Sequence, residues 1–222
     1  MVRRTKEEAH ATRERLLDAA ELLFQAQGVS QTSLQQIAQA ADATRGAVYW
    51  HFKDKADLFN AMMDRVTLPM ETANRAATDA GEAPLAAIER SMTKALQLVA
   101  TDPQVKRVFE IATHKVEYTN DLASVRQRHL NSRNECLIDF EKALREAAHE
   151  CGIKLPIPAT TAAKGMHALI AGLIQDWLLD PTAFDLVTAG QRVFQVYLAG
   201  LGFDRHGAPL AAASRTDGAV VV

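Results

Sequence analysis

Thr44-Arg45-Gly46-Ala47-Val48-Tyr49-Trp50-His51-Phe52-Lys53-Asp54-Lys55 is the stretch on which the reading of this chain turns. Thr44 is a good N-cap, and a short helix from Arg45 to about Phe52 follows it. Asp54 caps a longer helix that starts at Lys55 and carries Leu58, Phe59 and Met62. Upstream, Thr32 with Gln35 three residues on has the pattern of a capping box. It opens a short helix that turns Leu34, Ile37 and Ala38 inward and ends near Ala41. Ala41-Asp42-Ala43 is then a three-residue turn, and the whole forms a helix-turn-helix whose second helix can enter the major groove of DNA. Short helical hairpins are equally common as plain scaffolding, and geometry alone leaves both uses open.

The side chains of the second helix divide by face. Val48 turns inward with Ile37 and Ala38, while Gly46 and Ala47 keep part of the helix thin enough for close approach to DNA. Arg45, Tyr49 and His51 supply donors and aromatic surface outward. Lys55 stands where a lysine and an exposed helix N-terminus can meet one phosphate together. Trp50 and Phe52 are expected in the core, and Lys53 in solvent.

Outward from this unit the chain reads as all-α, with about nine helices. A first helix from about Glu8 to Gln27 carries Leu16, Ala20, Leu23 and Phe24 on one face and stops at Gly28. Pro69 should kink or end the fourth helix. Later helices are expected from Pro84 to about Thr101, from Asp102-Pro103, and from about Leu122 to Cys151. Two more run from about Ala159 to Leu179 and from Phe184 to Gly202. The expected organisation is a helix-turn-helix domain with a basic N-terminal arm over 1–54, a helical bundle over 55–203, and a disordered tail over 204–222.

Composition narrows the function. The 222 residues are 48% hydrophobic and 23% charged, as in a soluble globular chain, with a net charge of −2. No stretch reaches the run of about 18 apolar residues a membrane helix needs, and no apolar signal core follows the basic start. Cys136 and Cys151 would lie ~22 Å apart on one helix, too far for a disulfide, and two cysteines fit a reduced, cytoplasmic setting. Glu146 and His149 form one Glu-x-x-His, but a carboxylate-bridged metal pair needs a second copy, which is missing. Glu110, His114 and Glu117 share a face and are expected to be solvated or salt-bridged. No phosphate loop, dinucleotide fingerprint or nucleophile elbow occurs. No catalytic residue, metal or cofactor is expected.

The exact residues go further. Thr44 to Lys55 closely resembles the signature of TetR-family transcriptional regulators, and Ala11 to Ala20 and Leu34 to Ala38 match the same module in register. Val2 to Ala9 is similar to the AcrR/TtgR-like branch that represses multidrug efflux operons, with weaker similarity over Arg107 to Tyr118 and around Gly172 to Leu179. The resemblance implies that Arg45 reads a base edge, that Tyr49 and His51 pack on sugar and phosphate, and that Lys55 binds phosphate. Gln35 would reach the groove from the preceding helix, and Arg3, Arg4 and Lys6 would form a flexible arm near the DNA. Thr32, Thr44 and Gly46 complete the expected DNA face.

Residues 1–60 hold eight basic residues (Arg3, Arg4, Lys6, Arg13, Arg15, Arg45, Lys53, Lys55). They hold eight acids as well (Glu7, Glu8, Glu14, Asp18, Glu21, Asp42, Asp54, Asp57), so binding would rest on placement instead of a basic field.

For the C-terminal part the resemblance implies a homodimer through the last two helices and an effector pocket between the fifth and eighth. Its facing positions are Met92, Ala95, Phe109, Thr113, His167, Ile170, Ile174 and Gln175, suited to a small hydrophobic or aromatic compound. The expected function is a ligand-released repressor at operator DNA, of an efflux operon first and of a catabolic or fatty-acid pathway as the alternative.

Overall fold

The computed structural model describes residues 2–78, 83–204 and 208–209. Nine α-helices occupy them: α1 (Val2–Gln27), α2 (Leu34–Ala40), α3 (Arg45–His51), α4 (Lys55–Thr78), α5 (Pro84–Thr101), α6 (Pro103–His114), α7 (Ala123–Glu150), α8 (Ala159–Leu179) and α9 (Leu186–Leu201). A 3₁₀ turn at Asn120–Leu122 leads into α7. Among the described residues there is no strand, only an isolated bridge between Phe203 and Pro209. The tail expected to be disordered falls largely outside the described residues.

Local chemistry sets most boundaries. Thr44, Asp102 and Asp185 accept backbone N–H groups of the first turns of α3, α6 and α9. Gly28, Gly152 and Gly202 end α1, α7 and α9 in the left-handed conformation at φ +84°, +63° and +101°. Three boundaries differ from the sequence reading. The cap of α2 is Ser33 with Gln36, one residue beyond the Thr32 and Gln35 pair. The first helix continues back to Val2, so the backbone at Arg3, Arg4 and Lys6 is helical and not a free arm. Finally, α4 runs on through Pro69 to Thr78. The helix passes the proline on an exposed stretch beside Leu68, where the ring costs it one backbone hydrogen bond.

The core is one continuous cluster. Leu16, Leu17, Ala20 and Phe24 of α1 bury against Ile37, Ala38, Val48, Phe52, Leu58 and Phe59, which fixes α2 and α3 on the end of the molecule. Each large side chain sealed there contributes roughly 1.5–3 kcal/mol of burial. Leu96, Val108, Ile111, Leu144, Met166, Phe194 and Leu198 carry the cluster on through the bundle. Two close approaches set the bundle geometry. A Cβ at Gly190 would lie 2.2 Å from Leu96 Cδ1, and one at Gly165 would lie 2.2 Å from the Tyr197 hydroxyl. That hydroxyl donates to the Ala162 carbonyl at 2.8 Å, pinning α9 to α8.

Candidate nucleic-acid interface

The turn between α2 and α3 fixes the presentation of α3. Asp42 adopts φ +50°, a left-handed conformation that Asp tolerates better than bulkier residues. The Ala43 N–H then donates to Ala38 O at 2.9 Å, closing α2 with the six-residue bond of a Schellman motif. Thr44 restarts the chain as α3, its hydroxyl accepting from Ala47 N at 3.1 Å. Val48 is buried, so the opposite side of this two-turn helix must face out.

That outer side is aromatic and cationic. The Arg45 guanidinium lies 5.5 Å from the Tyr49 ring centroid, and Nη2 donates to the Tyr49 hydroxyl at 3.3 Å. Arg45 is exposed, Tyr49 is 49% exposed and Trp50 73%. Trp50 therefore stands in solvent and not in the core, because Val48 and Phe52 take the two inward positions of so short a helix. Its ring meets His51 edge-on at 4.5 Å. Burial, and then the charge of Arg13, pushes the His51 imidazole below its ordinary range, so it stays neutral near pH 7 and offers an N–H without charge. Phe52 is buried beneath the Arg13 guanidinium, 5.4 Å away, and Lys53 is exposed as expected.

Gly46 is informative by what does not require it. Its φ is not positive, and an added Cβ would meet only Thr44 Oγ1 at an ordinary 3.7 Å. Nothing inside the protein needs a glycine there, which leaves the outside as the place where bulk would obstruct. Gln35 and Thr44 are exposed as well. Lys6 is exposed on α1, whereas the Arg3 and Arg4 side chains lie outside the described residues.

Two expected DNA contacts are spent on the protein itself. Thr32 is 1% exposed; its hydroxyl donates to Gly28 O at 2.7 Å and accepts from Gln27 at 3.1 Å. Lys55 Nζ donates to the carbonyls of Val29 (2.8 Å), Ser30 (3.1 Å) and Thr32 (3.0 Å). A loop with three inward carbonyls needs a donor, and the lysine supplies all three protons. Burial lowers its pKa, with Asp121 opposing the shift.

The bundle places the eight expected effector residues unevenly. Met92 is buried, and Ala95, Phe109, His167, Ile170 and Ile174 are half-buried. Thr113 and Gln175 are exposed, each about 200° around its helix from a buried neighbour, Ile111 and Trp177 respectively. Neither faces an interior. Ile170 lines a crevice of about 10 Å³ between α8 and α9, with Met166, Leu173, Val193 and Tyr197. That space barely holds one water. A wider open groove of about 520 Å³ runs between α5 and α9, lined by Glu89, Arg90, Thr93 and Lys94.

Glu110 and His114 are half-buried on α6, while Glu117 is exposed past its end, so the three do not share one helix face. Glu110 accepts from Gln25, Glu117 from Ser30, and His114 Nε2 lies 3.2 Å from the Gln175 carbonyl. Among the described residues no three His, Cys, Asp or Glu side chains gather to hold a metal, and no helix is long and apolar enough to cross a membrane. Cys136 and Cys151 are unbridged, and burial pushes the Cys136 thiol up to about 12.

Comparison with known proteins bears on both halves. Residues 16–62 match the profile of bacterial regulatory proteins of the tetR family, and residues 83–203 that of the C-terminal region of MAATS-type transcriptional repressors. The HTH-type transcriptional regulator TtgR of Pseudomonas putida is 37% identical over 188 residues, 84% of this chain and 90% of that one. Native NalD, the secondary repressor of the MexAB-OprM multidrug efflux pump in Pseudomonas aeruginosa, superposes with a TM-score of 0.80 at 36% identity, covering 87% of this chain and 98% of that one. The complex of Stenotrophomonas maltophilia SmeT with triclosan gives 0.72 at 32% identity, over 85% and 90% of the two chains.

Proposed function

The chain belongs to the TetR family of bacterial regulatory proteins, and from that premise we propose that it is a homodimeric repressor of a multidrug efflux operon, released from its operator by a small aromatic or hydrophobic compound. The observation that carries the reading is the outer face of α3: Arg45, Tyr49 and Trp50 exposed around a glycine the protein does not need. Arg45 reads a base edge, and Tyr49, Trp50 and neutral His51 pack on sugar and phosphate. Gln35, Thr44 and the N-terminal basic residues flank them. Trp50 is the contact that its aromatic, inward-looking spacing concealed.

Two copies are needed to fill successive major grooves ~34–36 Å apart. Ala168, Leu169 and Ala171 of α8 and Val196, Ala199 and Gly200 of α9 stand exposed and small or apolar, a face suited to pairing with its own symmetry mate. Domains over 1–54 and 55–203, and a cytoplasmic location, follow from the same reading. The efflux assignment rests on NalD, described as an efflux-pump repressor, and the effector class on SmeT, which is held with triclosan. A ligand seated among Met92, Phe109, His167, Ile170 and Ile174 would have to open space there and favour a conformer whose heads no longer match the operator.

The experiment is selection of duplexes from random DNA, followed by titration of Arg45→Ala on the selected operator and on scrambled DNA. The variant should lose about tenfold or more on the operator, at ~1–3 kcal/mol per base-reading contact, and little on scrambled DNA. No enriched sequence, or equal loss on both DNAs, would defeat the reading.

A further inference from the structure

Only two polar side chains are fully buried among the described residues, and one is Glu21, at 1% exposure on α1. Its carboxylate is shared by three donors from two other helices. Arg65 of α4 donates to one oxygen together with Gln104 Nε2 of α6 (3.1 Å), and Arg107 Nη1 of α6 donates to the other at 3.3 Å. Arg65 also holds Glu14 (3.1 Å) and Asp18 (2.8 Å), so α4 grips three acids on one face of α1.

The contact with α6 is built differently, as a row of polar rungs. Below Glu21, Gln25 Nε2 donates to Glu110 Oε2 at 2.9 Å. Beyond the end of α1, the Val29 N–H donates to Lys115 O at 2.9 Å and Ser30 Oγ to Glu117 at 3.2 Å. Glu21 and Gln25 stand four residues apart, about 6 Å along α1, and the Val29 and Ser30 contacts continue the row just past the ends of both helices. Two further groups bind α6 to the bundle: Lys106 Nζ lies 5.0 Å from the Trp177 ring centroid, and His114 meets the Gln175 carbonyl. One helix thus touches α8 on one side and the reading head on the other.

Resting on the function proposed above, we infer that this α1–α6 polar ladder, centred on Glu21 and Arg107, sets the angle of the reading head against the bundle and so the half-site spacing the dimer accepts. Apolar faces tolerate a small slide with graded loss, whereas hydrogen bonds weaken steeply once bent. A buried carboxylate must also keep its partners. A shift of α6 within the bundle is therefore delivered to α1 in register. The acid-rich hold of Arg65 moves α4 along with α1, which leaves the α6 rungs as the adjustable contact.

The test uses the full-length dimer and an operator selected by the wild type, compared with the same operator lengthened by one base pair between half-sites. Wild type should lose about tenfold or more on the respaced DNA, the scale of one mismatched base pair. Arg107→Met and, at the second rung, Gln25→Leu should cut that penalty to about threefold or less on the same scale, with Arg107→Lys restoring part of it. Leu144→Ala, a buried change in α7 away from the ladder, should lower the melting temperature and leave the penalty unchanged. If folded Arg107→Met and Gln25→Leu dimers keep the full penalty, or Leu144→Ala relaxes it as much, the ladder does not set spacing. A wild-type dimer that selects no DNA overturns the underlying reading, and this inference with it, and is a distinct outcome.

Discussion

Replacing Lys55 by Met separates a structural lysine from a phosphate-binding one. The ammonium donates to the carbonyls of Val29, Ser30 and Thr32 at 2.8–3.1 Å. Val29 and Thr32 are buried, so two of the three carbonyls do not regain water when the ammonium goes, while half-buried Ser30 does. Hydrogen bonds to a charged group are worth roughly 1.5–3 kcal/mol each, which puts a ceiling of about 3–6 kcal/mol on the two dry ones. One ammonium serves both and is itself partly in solvent, so about half that, ~2–3 kcal/mol, is the expected loss. Denaturant unfolding of wild type and variant at matched concentration reads it directly. Operator affinity should fall in step with the disordered α1–α2 loop, with little change in its salt slope. An unchanged unfolding midpoint, together with a salt slope reduced by about one per lost phosphate contact, would refute the staple and restore the phosphate role.

Trp50→Ala should cost under about 1 kcal/mol of stability, as an exposed side chain, while weakening operator binding about tenfold; unchanged binding in a titration would remove Trp50 from the interface. Burial, followed by Arg133 and Arg128 for His129 and by Arg133 and His129 for His167, depresses both imidazoles. The unfolded chain then binds protons more readily than the native one, so stability present above about pH 6.5 is lost as pH falls below it. Melting temperatures from pH 7.5 to 5.5 should decline less steeply in the His129→Gln/His167→Gln double variant than in wild type, and parallel curves would contradict the assignment.

Much of this protein is written within a few residues of where it acts. The caps Thr44, Asp102 and Asp185 and the stops Gly28, Gly152 and Gly202 satisfy backbone groups one turn away, so spacing alone places them. The same holds for the inward set Ile37, Ala38, Val48 and Phe52, and for the outward set Arg45 and Tyr49. What the sequence left ambiguous was settled by partners outside each local motif. Thr32-Ser33-Leu34-Gln35-Gln36 contains two overlapping capping boxes, and the choice fell to Ser33 because the Thr32 hydroxyl is engaged by Gly28 and Gln27. Lys55 looked like a cation for DNA until the loop 26 residues earlier turned three carbonyls toward it. Pro69, a helix breaker by local preference, lies inside α4 all the same. Glu21 and Arg107, 86 residues apart, share no local signal at all. Period, capping and glycine placement are short-range chemistry and therefore legible in order along the chain. Which polar groups meet across helices is decided only when packing removes water from them, because until then each is equally content in solvent.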